Sequence, residues 1–200
     1  MTRTADLERP AVLLDRVIEY VVEHGLAGLS LRPLAKAVGC SPRILLYYFE
    51  SKEALIVRIF SHLRTGQHGA IGTLGKQTYA RPSDACRAAW KMMSAPQHLP
   101  LYDLFFETYA YALRHRAQYC DFLLHAVEDW LGFVAAPALA AGAPAPVART
   151  YATIVLAGFR GFILDLCATR DRDRIDVAVN AWLDSLDSFL PKEARGAKSA

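Results

Sequence analysis

The chain has 200 residues, 53% of them hydrophobic and 22% charged, with 23 Lys/Arg against 20 Asp/Glu and a net charge of +3. That is ample for a folded core and excludes both a disordered chain and a protein whose partner could be read from bulk charge. The polar opening MTRTADLERP carries no signal or transit pattern, and the apolar runs read as too interrupted by charge to span a membrane.

In chain order almost every segment reads helical. Leu14, Val17, Ile18, Val21 and Val22 recur at helical spacing and Gly25 stops them. Ser30 reads as the next N-cap, with Leu31, Leu34, Ala35 and Val38 inward and Gly39 as the stop. Ser41-Pro42 opens a helix of barely two turns that ends near Phe49. Ser51 opens another, with Leu55, Ile56, Ile59, Phe60 and Leu63 inward. The glycine-rich stretch 65–82 reads as a helix end plus a loop and as a domain boundary. Helices are then expected over about 83–94, 99–115, 117–140, 145–168 and 172–190, punctuated by prolines. No segment alternates with period two, so no sheet is expected. Cys40, Cys86, Cys120 and Cys167 are scattered without a C-x-x-C, which predicts reduced thiols in a cytoplasmic protein, not disulfides or a zinc site.

The basic excess is local. Residues 25–66 hold six Lys/Arg against two acids, whereas 67–200 hold fourteen against thirteen. Three helix starts lie in this region, and each has a cation in its first turn: Arg32 after Ser30, Arg43 after Ser41-Pro42, and Lys52 after Ser51. A helix N-terminus is partially positive, so each cation costs a few tenths of a kcal/mol, about 1 at most. If the three ends share a surface, their N–H groups, dipoles and cations all face a phosphate chain. Ala35, Gly39 and Ser41 give helix, reversal and helix, the helix-turn-helix pattern whose second helix lies in the major groove. Leu45 and Phe49 are expected inward. Pro42, Arg43, Leu46, Tyr47 and Tyr48 are expected outward, Arg43 toward a guanine edge and the tyrosine hydroxyls toward phosphates.

The run SLRPLAKAVGCSPRILLYYFESKEAL, Ser30 to Leu55, resembles the DNA-binding domain of the TetR (tetracycline-repressor-like) family of bacterial regulators. The glycine turn, Tyr47, Phe49 and Ser51-Lys52-Glu53 carry the likeness. The sequence departs from the family at Leu46, where an aromatic is frequent, and at Tyr48, where histidine is. The resemblance implies DNA contacts for Arg32, Ser41, Arg43, Tyr47, Tyr48 and Lys52, and the outward Pro42 is a further candidate DNA contact. The resemblance also implies an all-α fold: a three-helix DNA-binding domain over 1–66, then a helical ligand-binding and dimerisation domain over 67–200.

In the second part, Trp90, Met93, Phe105, Phe106, Tyr109, Phe122 and His125 are candidate linings for a small-molecule cavity, which the resemblance also suggests. The last two long helices are too apolar to be covered from within. Ala152, Leu156, Phe159 and Ile163 on one, with Ala178, Ala181, Trp182 and Ser185 on the other, are the expected homodimer seam. The expected function is a homodimeric transcriptional regulator: a repressor released from double-stranded operator DNA by an unknown small-molecule effector, without cofactor, metal or membrane. The competing readings are an architectural DNA-binding protein with no ligand switch, and an all-helical enzyme or metal-binding protein using Asp121, His125 and Asp129, which share one helix face. No nucleophile or zinc-protease motif supports an enzyme.

Overall fold

The computed structural model describes residues 10–25, 29–59, 61–62 and 79–191, and all regular structure among them is helical. The helices are α1 (Pro10–His24), α2 (Leu31–Val38), α3 (Pro42–Phe49), α4 (52–59), α5 (Pro82–Met93), α6 (Leu99–Arg114), α7 (Arg116–Ala140), α8 (Ala145–Thr169) and α9 (Arg172–Leu186), with 3-10 turns at Pro96–His98 and Asp187–Phe189. The expected stretch 65–82 lies, up to residue 78, outside the described residues, as do Phe60, Leu63 and the tail from 192.

The chain forms two compact units, residues 1–67 with 103–119, and residues 68–102 with 120–200. In the first unit Leu13, Val17 and Val21 on α1, Leu34, Ala35 and Val38 on α2, Leu45 and Phe49 on α3, and Leu55, Ile56 and Ile59 on α4 are buried. Each large apolar side chain among them contributes on the order of 1.5–3 kcal/mol by leaving water.

The second unit buries Cys86 and Trp90 on α5, Tyr151, Val155, Phe159, Ile163 and Leu166 on α8, and Ile175, Val179, Leu183 and Leu186 on α9. Polar clamps fix α5 against α9. Trp90 Nε1 donates to Asp176 Oδ1 at 2.7 Å, Arg87 pairs with Asp184, and Arg172 donates to the Ser94 hydroxyl at 3.1 Å and to its carbonyl. Asp187 accepts from the Ser83 hydroxyl at 2.6 Å and from the Ser83 backbone N–H at 3.3 Å. That carboxylate serves the start of α5, where Arg81 stands in the N-cap position and makes no side-chain capping bond. Cys86 Sγ lies 3.5 Å from the Tyr151 hydroxyl, and burial pushes its thiol up to about 11, the state of an inert core cysteine.

One expectation is corrected. By length and composition α7 and α8 could each cross a membrane, because each holds a long apolar stretch with at most two charges. Arg160, near the middle of α8, donates instead to the Ala126 carbonyl, and at a bilayer centre an arginine would cost about 2.5–3.5 kcal/mol on insertion scales. Phe189 is 61% exposed, although it follows Ile175, Val179 and Leu186 at helical spacing. The helix ends at Leu186, and the tighter turn at Asp187–Phe189 rotates the following side chains off the helical stripe.

Candidate nucleic-acid interface

The joint between α2 and α3 is closed by glycine. Gly39 has φ 77°, its N–H bonds the Lys36 carbonyl at 3.3 Å, and the Cys40 N–H bonds the Ala35 carbonyl at 2.9 Å. This pair of bonds is a Schellman motif, and it needs the left-handed conformation that glycine adopts freely. The chain then restarts at once. Ser41 accepts from the Ile44 N–H at 3.3 Å and Pro42 occupies the first helical position.

Eight residues cannot hold a helix alone. Leu45 and Phe49, one turn apart, are both buried and anchor α3, as expected. Ser41, Pro42, Arg43, Leu46 and Tyr47 are thereby left exposed, Tyr47 at 79%. Tyr48 is half-buried, its ring edge-on to Tyr47 at 5.1 Å. Ile44 is exposed as well, a position that the sequence pattern alone did not single out. It stands on the flank of α3 beside Arg43, where an apolar side chain can meet a thymine methyl. Its signal in the sequence is an isoleucine off the Leu45/Phe49 stripe, on a helix with only one buried face.

The third start follows directly. Glu50 ends α3 with φ 64°, and the Ser51 hydroxyl accepts from the Ala54 N–H at 3.0 Å to cap α4. Ser30 holds the N-cap position of α2 without a side-chain bond. Arg32 and Arg43 are exposed and Lys52 is half-buried, and none of the three has an ion-pair partner among the described residues. The unit thus offers three cations without ion-pair partners among the described residues, each in the first turn of a helix, and one two-turn helix whose outer face carries arginine, tyrosine and apolar groups.

Residues 13–59 match the model of the bacterial regulatory proteins of the tetR family. They form a tetR-family domain. No curated protein matches the sequence. The chain is similar in fold to several solved structures. A transcriptional regulator from Rhodococcus sp. RHA1 is 17% identical over 91% of this chain and 97% of that one, with a TM-score of 0.77. The multidrug binding protein EbrR, complexed with imidazole, is 20% identical over 100% and 96%, with a TM-score of 0.67. A TetR transcriptional regulator, also from Rhodococcus sp. RHA1, is 18% identical over 91% and 97%, with a TM-score of 0.60. At these identities the likeness is one of fold, and that fold is all-helical.

Outside the tetR-family domain the expected groupings are redistributed. Phe105, Phe106 and Tyr109 form a ring cluster in the first unit, with centroids 5.4 and 5.5 Å apart. Trp90, Met93, Phe122 and His125 fall in the second. There Trp90 packs on Phe159 and Phe162 at 5.8 and 6.2 Å, and His125 stands exposed with its Nδ1 3.1 Å from Asp129. Asp121 lies instead beside Cys120, 3.6 Å from its sulfur, and no three metal-binding side chains converge among the described residues.

The seam residues also divide. Ala152, Phe159 and Ile163 are buried within the chain itself, so they face its own helices and not a partner. An all-apolar helix carries no phase in its sequence, so spacing alone does not tell its inward face from its outward one. The exposed stripe of α8 is Thr153, Ala157, Gly161 and Leu164, with Leu164 at 51%. On α9 Ala181 and Ser185 are exposed, with Val177 beside them, and Ala178 and Trp182 are half-buried, as is Leu156 on α8. Trp182 lies across Gly158, where a Cβ would come within 2.3 Å of its ring.

Proposed function

We propose that this protein is a homodimeric transcriptional regulator of the TetR family, with α3 reading an operator in the major groove. The observation that carries this is α3 itself. It is a helix too short to persist alone, held by Leu45 and Phe49, with an exposed arginine and an exposed tyrosine outward inside a tetR-family domain. Residues 1–66 are the reader, and 67–200 bind effector and partner. The protein is a repressor, and a small molecule in the second part shifts the spacing of the two readers and releases DNA. The dimer seam lies on the exposed stripes, Ala157, Gly161 and Leu164 of α8 with Ala181 and Ser185 of α9, whose small residues let helices approach closely. Two helices from each protomer would form it, and two readers would meet two half-sites.

Selection of bound duplexes from a random pool tests this function: enrichment of a two-fold-symmetric site is expected, and a pool returned without enrichment would remove it. Arg43→Ala should cost about 1–3 kcal/mol on the selected site and relax preference at one position per half-site. Uniform weakening on every duplex would make Arg43 a phosphate clamp. Lys52→Ala should instead weaken all duplexes alike and flatten the log–log salt slope by about 0.9 for each phosphate no longer neutralised. An unchanged slope would take Lys52 off the phosphates.

A further inference from the structure

The first unit holds a second feature that DNA reading does not use. A groove of about 460 Å³ opens beside the junction of α3 and α4, lined by Tyr48, Phe49, Glu50, Glu53, Arg58 and Tyr119 among others. Its volume falls in the range of small-molecule sites.

Tyr119 is the unusual member. The backbone leaves helical geometry at this residue (φ −116°, ψ 20°), so α7 kinks there. Its side chain is 2% exposed, with the Tyr111 ring edge-on at 5.7 Å. Its hydroxyl is buried and has no hydrogen-bond partner among the described residues. A buried hydroxyl left unsatisfied costs on the order of 1–3 kcal/mol, and tyrosine hydroxyls usually find a partner when buried. Burial first, then Tyr111 and Glu53, push this phenol up to about 12, so it is a neutral group able both to donate and to accept.

The rest of the lining sets the class of ligand. Two carboxylates, Glu50 and Glu53, and one guanidinium, Arg58, line the groove, and neither carboxylate is ion-paired among the described residues. Tyr48 supplies ring surface, with Phe49 and Tyr119, each 2% exposed, beneath it. Carboxylates beside aromatic rings attract a cation with an apolar body, through charge and through the negative faces of the rings.

We propose that this groove is a binding site for a small organic cation, an amine on a flat apolar body, with Glu50 and Glu53 taking the charge and the Tyr119 hydroxyl accepting an N–H. The site sits in the first unit, which also holds the tetR-family domain. It does not depend on the DNA-binding function, because the test needs no DNA.

The probe is benzylammonium, titrated into the full chain by calorimetry, with backbone amide NMR to locate it. Benzyl alcohol and benzoate are the neutral and anionic controls. Benzylammonium should bind more tightly than either control and shift the amides of residues 48–58 and 118–119. Tyr119→Phe and Glu53→Gln should each weaken it about tenfold. Tyr119→Phe should melt no lower than wild type without ligand, because its hydroxyl has no bond to lose. Any of four results overturns the proposal: no binding up to roughly 10 mM, tighter binding of benzoate, shifts confined to residues 120–191, or an affinity unchanged in both variants.

Discussion

Asp187→Ala is expected to destabilise the protein by about 2–4 kcal/mol, more than any single apolar contact on its element. Asp187 is 8% exposed, and its carboxylate satisfies both the hydroxyl and the backbone N–H of Ser83, which is itself fully buried. Removing it leaves two donors without partners inside the second unit. It also leaves the start of α5 without the acceptor that Arg81 cannot supply from the N-cap position. Arg81, with a nitrogen 3.7 Å from Asp187, would lose its distant counter-charge, a minor loss at an exposed side chain. Asp187→Asn keeps the shape and an acceptor oxygen, so it should cost less than half as much. Urea unfolding with unchanged m-value measures both. A loss under about 0.5 kcal/mol for the alanine variant would mean that Ser83 finds other partners.

Ala181→Phe should give a monomer that folds normally and binds its operator about 10²–10⁴-fold more weakly. Ala181 is exposed in the single chain, so a larger side chain there meets nothing of its own protomer's core. At a close helix–helix seam the added ring overpacks each copy of the interface, by about 1–3 kcal/mol per site. Operator affinity then falls, although every DNA-facing residue is intact, because two half-sites read by separate monomers lose their effective concentration. Leu164→Glu attacks the same seam from α8 and should act alike. Sedimentation of wild type and both variants at micromolar concentration, with operator binding on the same samples, decides the matter. A monomeric wild type, or variants that remain dimers and bind tightly, would move the interface to other helices.

The parts of this molecule that are legible in the sequence are those fixed by neighbours along the chain. Gly25 and Gly39 mark helix ends with φ of 75° and 77°, Ser41 and Ser51 cap the helices they are expected to start, and Leu45 and Phe49 face inward because a two-turn helix offers only one buried stripe. What is not legible depends on partners far along the chain. Nothing near Ser83 announces that its acceptor is 104 residues away. Nothing near Tyr119 announces a kink, since no proline or glycine marks it. The faces of α8 cannot be phased because every face is apolar, so spacing puts Ala152, Phe159 and Ile163 outside while Ala157, Gly161 and Leu164 are the ones there. In the candidate site the same division holds. The Arg43 and Tyr47 positions follow from local spacing, whereas the groove at Glu53 and Tyr119 joins two segments that sequence order keeps apart.

The contact between Gly158 and Trp182 also constrains how this chain can change. A methyl group at 158 would sit 2.3 Å from a ring that is itself wedged against Phe159 and Phe162 at 5.8 and 5.3 Å. The two positions therefore form a lock with an order of opening. In any lineage descending from this sequence, the tryptophan has to shrink before the glycine can acquire a side chain, and the reverse order passes through an intermediate whose last two long helices are pushed apart.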